Sequence, residues 1–156
     1  MVPTLPVASG ANAGCALVGN AHPRLSEGLR AWLLASFERV FMVADRASLI
    51  DGAGKLQPVL VVVDAALAEG ELAPLLAELH CRAPTSRTLL LSDYEDAPFE
   101  AAALAAGADG VVRKATLAAD LSAAVDAVLA GRRFISSSAA HQDDPTLRGG
   151  ADDVRR

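Results

Sequence analysis

From residue 15 onward, short apolar runs alternate with stretches whose apolar residues recur every three or four positions. Cys15 to Val18 is a run of strand length, and Leu25, Leu29, Leu33 and Phe37 then fall along one face of a helix. Val40 to Ala44 predicts a second strand. Ala47 to Leu56 predicts a short, weak helix containing Gly52 and Gly54. The segment PVLVVVD is an unbroken row of branched side chains, the habit of a central strand covered on both faces, and it ends in Asp64. Leu72, Leu75, Leu76 and Leu79 then define a third helix and RTLLLS a fourth strand. Glu95 to Ala106 reads as an alanine-rich helix stopped by Gly107, a C-terminal cap. GVV is a very short fifth strand leading into Arg113 and Lys114. Leu117, Leu121, Val125, Val128 and Leu129 lay out the last helix before Gly131.

Five strand–helix units in succession predict an α/β fold: a doubly wound, five-stranded parallel sheet of flavodoxin-like type, a (βα)5 sandwich with right-handed crossovers. Ligands in such folds gather at the carboxyl ends of the strands. The ends of the chain have no such pattern. Residues 1–14 are rich in Pro, Ala, Gly and Ser, and residues 136–156 are polar with almost no large apolar side chains, so both are expected to be flexible tails around a domain at 15–135.

The chain of 156 residues suits one domain, and 52% hydrophobic residues suffice for a core. Its net charge is −5 and its Lys and Arg residues are scattered, which argues against direct nucleic-acid binding. Cys15 and Cys81 lie at no zinc-ligand spacing, and both are expected to be buried reduced thiols. No basic leader and no apolar run of membrane-spanning length is present, so a cytoplasmic protein with no membrane contact is expected.

Four segments should meet at the carboxyl edge of the sheet: Gly19 to His22, Asp64, Ser92 with Asp93, and Lys114. One acid, one hydroxyl and one ammonium at three strand ends form a set suited to an anionic group. Singly, a strand-end Asp often does no more than cap the next turn.

The segments HPRLSEGLRAWL, VLVVVD, LLLS and above all AAGADGVVRK resemble the receiver domains of bacterial response regulators, CheY-like proteins, and among them the NarL/FixJ branch; the likeness runs from about Cys15 to Ser136. The resemblance implies a phosphoacceptor aspartate, here Asp64. It implies that the hydroxyl of Ser92 contacts the incoming phosphoryl group and that Lys114 pairs with its charge. Such transfer is mostly positioning plus electrostatic stabilisation of oxygens.

The chain also departs from that pattern. Where receivers place two acids that hold Mg²⁺ with the phosphoacceptor, it has Asn20 and Ala21, and moving the register by one gives Gly19 and Asn20. Mg²⁺ prefers an octahedron of hard oxygens, and Asp64 alone, with Lys114 competing for it, gives the ion little reason to stay. Loss of metal-assisted charge stabilisation slows phosphorylation by roughly three or more orders of magnitude. Asp93 stands where receivers have a small residue; turned inward it would block the site and capture Lys114, turned outward it would face solvent or cap the following helix. Val111 occupies a position that is often an aromatic switch in receivers, and DAALAEGEL lacks the family's Met-Pro after the acceptor.

His22 and Pro23 match the family's helix start, with His22 expected at the surface or as a cap. Trp32, the one tryptophan, is expected in the core or an interface. The expectation is therefore an atypical stand-alone receiver, not an enzyme and without a cofactor. It would act by protein–protein contact with a histidine kinase, a response regulator or a second copy, the preferred guess being a homodimer through the last helix. The alternative is a phosphorelay receiver that uses Asp64 with Mg²⁺. A flavodoxin-like binder of a small anion is a third reading, which no Gly-rich phosphate loop supports. The stretch after Gly131 is too short and polar for a helix-turn-helix, so output is expected to pass through another protein, self-association or a module outside this chain.

Overall fold

A computed structural model describes residues 14–93 and 97–136. The strands are β1 (Cys15–Gly19), β2 (Arg39–Val43), β3 (Leu60–Asp64), β4 (Arg87–Ser92), β5 (Gly110–Arg113) and β6 (Phe134–Ile135). The helices are α1 (Pro23–Leu34), α2 (Arg46–Leu56), α3 (Leu72–Arg82), α4 (Ala97–Ala105) and α5 (Leu117–Leu129). All strand pairs are parallel in the order β2-β1-β3-β4-β5-β6, the flavodoxin-like winding with one strand added at the edge.

The two-residue period of the strands divides the core into two layers. Leu17, Val61, Val63, Leu90 and Val111 pack with Leu49, Leu75, Leu76 and Ala103 beneath α2, α3 and α4. Ala16, Val18, Leu60, Val62, Leu89, Leu91 and Val112 pack with Leu29, Leu33, Leu121 and Val125 beneath α1 and α5. Every residue of β3 is buried, which is why its sequence shows no polar alternation.

Local chemistry fixes the helix ends. Pro23 opens α1, and the Asp45 carboxylate accepts from the Ser48 N–H at 2.8 Å to cap α2. That hydrogen bond holds the Asp45 carboxyl below its ordinary pKa. Gly107, at φ 119°, closes α4 in the left-handed region that favours glycine, as its place in the sequence predicts. The helix expected from Glu95 runs from Ala97, and residues 94–96 lie outside the described residues. Phe37 is buried as expected but three residues beyond α1, whose helix stops at Leu34.

The sheet has six strands rather than the five expected. After α5 the chain reverses at Gly131 and Phe134 and Ile135 pair with Gly110 and Val111. Two apolar residues between arginines and serines are too short to show a period, so the strand is invisible as a pattern. The fit depends on Gly110: a Cβ there would lie 2.9 Å from Leu89 Cδ1 and 3.3 Å from the Phe134 carbonyl oxygen. The tails expected at 1–14 and 136–156 fall outside the described residues except for Gly14 and Ser136, and Ser136 is fully buried rather than part of a tail.

Only one of the two thiols is buried. Cys15 lies in β1, where burial pushes its thiol above the ordinary value against a smaller opposite effect of Arg39. Cys81 is exposed, because α3 turns Leu75, Leu76 and Leu79 inward and leaves position 81 outward. No helix among the described residues is long and apolar enough to cross a membrane.

Candidate functional site

The carboxyl ends of β1, β3, β4 and β5 bring together the residues singled out in the sequence. β3 is flanked by β1 and β4, with Gly19 opposite Val63 and Asp64 opposite Leu91, so Asn20 and Ser92 end the strands on either side of Asp64. Ser92 in turn pairs with Arg113, and Lys114 is the next residue.

Asp64 is committed on both carboxylate oxygens. Oδ1 accepts from the Ala66 N–H at 2.9 Å and so caps the 3-10 turn at Ala65–Ala68. Oδ2 accepts from Lys114 Nζ at 2.8 Å, with side-chain exposures of 2% for Asp64 and 14% for Lys114. Lys114 begins a second 3-10 turn, Lys114–Thr116, and its side chain reaches past β4 to the end of β3. The same ammonium lies 3.4 Å from Asp93 Oδ2, on a side chain 70% exposed. Asp93 thus combines two expectations: it faces solvent and also holds Lys114. Two carboxylates and one ammonium leave this cluster with a formal charge of −1.

Ser92 is fully buried at the end of β4. Asn20 is buried too, and its amide is used locally: Oδ1 accepts from the His22 N–H at 2.6 Å, a turn that leads the chain into α1, and the Ser26 hydroxyl donates to the Asn20 carbonyl at 3.3 Å. Asn20 Nδ2 is buried without a hydrogen-bond partner among the described residues. Ala21 and His22 are exposed, and the His22 side chain makes no cap. Val111 is fully buried in the layer beneath α4, a core residue.

No protein-family model matches the sequence, and none of the curated proteins matches it at a significant level. Solved structures do. The fold is similar to a two-component response regulator of the LuxR family from Aurantimonas sp. SI85-9A1, with a TM-score of 0.73 and 25% identity over 83% of this chain and 94% of that one. It is also similar to the isolated REC domain of RcsB from Salmonella enterica serovar Typhimurium in the apo form, with a TM-score of 0.68 and 23% identity over 83% and 97% of the two chains. The chain has the fold of a response regulator receiver domain. Against a further structure, of the Salmonella typhimurium RcsB response regulator, the likeness has a TM-score of 0.69 at 20% identity and spans 65% of that chain.

Receiver domains are associated with a Mg²⁺ ion beside the phosphoacceptor, and this site's donor set does not fit one. Asp64 Oδ2 is engaged by an ammonium and Oδ1 by a backbone N–H. Asn20 Oδ1 is spent on the His22 N–H, the rest of its side-chain amide is a buried N–H donor that a cation repels, and the Ala21 side chain offers no ligand atom. Among the described residues no three His, Cys, Asp or Glu side chains converge as a metal site.

Two features of this site leave little or no mark in the sequence. One is the turn that the Asn20 side chain makes with the His22 N–H, for which the only signal is an Asn two residues before His-Pro. The other is a hydroxyl–carboxylate network of Thr116, Asp120 and Ser136 behind Lys114, taken up below; it had no signal, because Ser136 read as part of a polar tail.

Trp32 is 36% exposed, so it is not core. With Leu25, Leu29, Leu117 and Leu121 it lines an open groove of about 260 Å³ between α1 and α5.

Proposed function

We propose that this receiver domain works as a protein–protein interaction module of two-component signalling, without Mg²⁺ and without an aspartyl phosphate, and is not itself a catalyst. The observation that carries this reading is the 2.8 Å ion pair of Lys114 with the buried Asp64, next to an Asn20 whose one acceptor is already in use. Lys114 holds the acceptor carboxylate where a metal and a phosphoryl group would compete for it, and Asp93 holds Lys114 from the other side. Shape is then the constant asset, and binding does not wait on a covalent switch. Val111 supports the same reading, since the position that is often an aromatic switch in receivers is here a small residue buried in the core.

The module's partner is another signalling protein, a histidine kinase, a response regulator or a second copy of this chain, with no direct contact to nucleic acid. The outer face of α5, with Ala118, Ala119, Ser122 and Ala123 exposed, offers a low-relief surface for a homodimer. Light scattering across concentration is expected to show mass rising toward the dimer; a strict monomer at high concentration contradicts that part.

A phosphorelay receiver remains the second reading, favoured by the convergence of Asp64, Ser92 and Lys114 at neighbouring strand ends. Intact-mass measurement after incubation with a small phosphodonor and Mg²⁺ separates the two. The proposed function predicts no acid-labile gain of a phosphoryl group, whereas ready labelling that disappears in D64N establishes the second reading.

A further inference from the structure

Behind Lys114 lies a second polar cluster, of a buried Ser136 with the partly buried Thr116 and Asp120, belonging to none of the roles above. Ser136 is completely buried at the end of β6. Its N–H donates to the Val111 carbonyl at 2.8 Å, which continues the β5–β6 ladder by one residue. In a parallel ladder the Arg113 N–H would next donate to the Ser136 carbonyl. Here it donates instead to Ser136 Oγ, at 3.1 Å. The hydroxyl therefore stands in for a main-chain acceptor, and its own proton goes to Asp120 Oδ2 at 2.5 Å. The same carboxylate oxygen accepts from Thr116 Oγ1 at 2.7 Å, and the two hydroxyl oxygens are 3.0 Å apart.

These bonds bracket Lys114. Arg113, fixed through its N–H, immediately precedes it, and Thr116 ends the 3-10 turn that Lys114 begins. Neither that turn nor α5 has a side-chain cap from its own N-cap residue, so Asp120, in the first turn of α5, and Ser136 supply the fixing bonds. The ammonium reaches across β4 to Asp64, so where the main chain of Lys114 lies sets how its side chain must extend to make that 2.8 Å contact.

We propose that Ser136, acting with Asp120 and Thr116, is a positioning residue for Lys114, so that the bridge from Asp64 to Asp93 is coupled to the point where residues 137–156 join the domain. A change at Ser136 then shifts the site, and a change at the site is felt at Ser136, since such coupling is reciprocal. This holds whether or not Asp64 ever takes a phosphoryl group.

The test compares full-length wild type with S136A, S136T and T116V by NMR, reading the side-chain Cε and Hε signals of Lys114 and the amide exchange rate of Arg113. In S136A the Lys114 signals are expected to move toward those of a solvent-exposed lysine and the Arg113 amide to exchange at least tenfold faster. S136T, which keeps the hydroxyl, restores both toward wild type. T116V removes one donor while leaving Ser136 in place, and gives an intermediate shift in the same direction even if S136A fails to fold. K114M gives the reciprocal effect, a change in the chemical shifts of the Arg113 and Ser136 amides. Lys114 signals that superpose on wild type in S136A and T116V, whatever the loss of melting temperature, would overturn the proposal and leave the cluster a purely structural clamp.

Discussion

K114M is expected to lower folding stability by about 3 kcal/mol, whereas D64N lowers it by only about 1 kcal/mol. The asymmetry follows from burial. Asp64 has 2% of its side chain exposed, so removing Lys114 strands a carboxylate whose remaining hydrogen bond comes from the Ala66 N–H. Breaking a buried pair from one side typically costs about 3–5 kcal/mol, and the 14% exposure of Lys114 places this pair at the lower end. In D64N the side-chain oxygen still accepts from Ala66, and the ammonium keeps Asp93 and some water. The double variant K114M/D64N should recover much of the loss, because no uncompensated charge stays buried. Denaturant unfolding of the four proteins measures the coupling. Equal losses in K114M and D64N would show that the pair is not the buried lock described here.

Restoring acids at the first corner should have the largest functional effect. N20D/A21D is expected to gain Mg²⁺-dependent labelling by a small phosphodonor, faster than wild type by roughly three orders of magnitude. A carboxylate at position 20 still accepts the His22 N–H and removes the buried unpartnered amide donor, and position 21 is exposed, so neither change meets a steric obstacle. Without metal the added charges repel Asp64 and Asp93 and lower the melting temperature. Mg²⁺ at about a hundred times its Kd then stabilises by about 2.7 kcal/mol, a response wild type lacks. A double variant that neither binds Mg²⁺ nor labels faster would mean that something other than the missing acids closes the site.

Most of the fold was legible because β1, β3, β4 and the helix faces express burial directly as periodicity. Leu60 to Val63 and Leu75, Leu76 and Leu79 leave little freedom in how they can be buried. The convergence of Asp64, Ser92, Asp93 and Lys114 was legible for a different reason: strand ends of a doubly wound sheet share one edge, so position in the chain gives position in the site. Three things were not legible. β6 is held by two ladder pairs and by the absence of a Cβ at Gly110, neither of which leaves a local hydrophobic signature. Ser136 is buried because its hydroxyl substitutes for a main-chain acceptor, a contact made across 23 residues. Cys81 shares the composition of its buried neighbours on α3, and only its angular place on the helix exposes it.

The most direct measurement is a titration of the wild-type protein with Mg²⁺ and beryllofluoride, followed through the amide signals of Ala66, Ser92 and Lys114. These signals are expected to stay in place at millimolar Mg²⁺, because the Asp64 carboxylate remains bound to Lys114 and the Ala66 N–H. Saturable shifts at all three positions, absent in D64N, would contradict it.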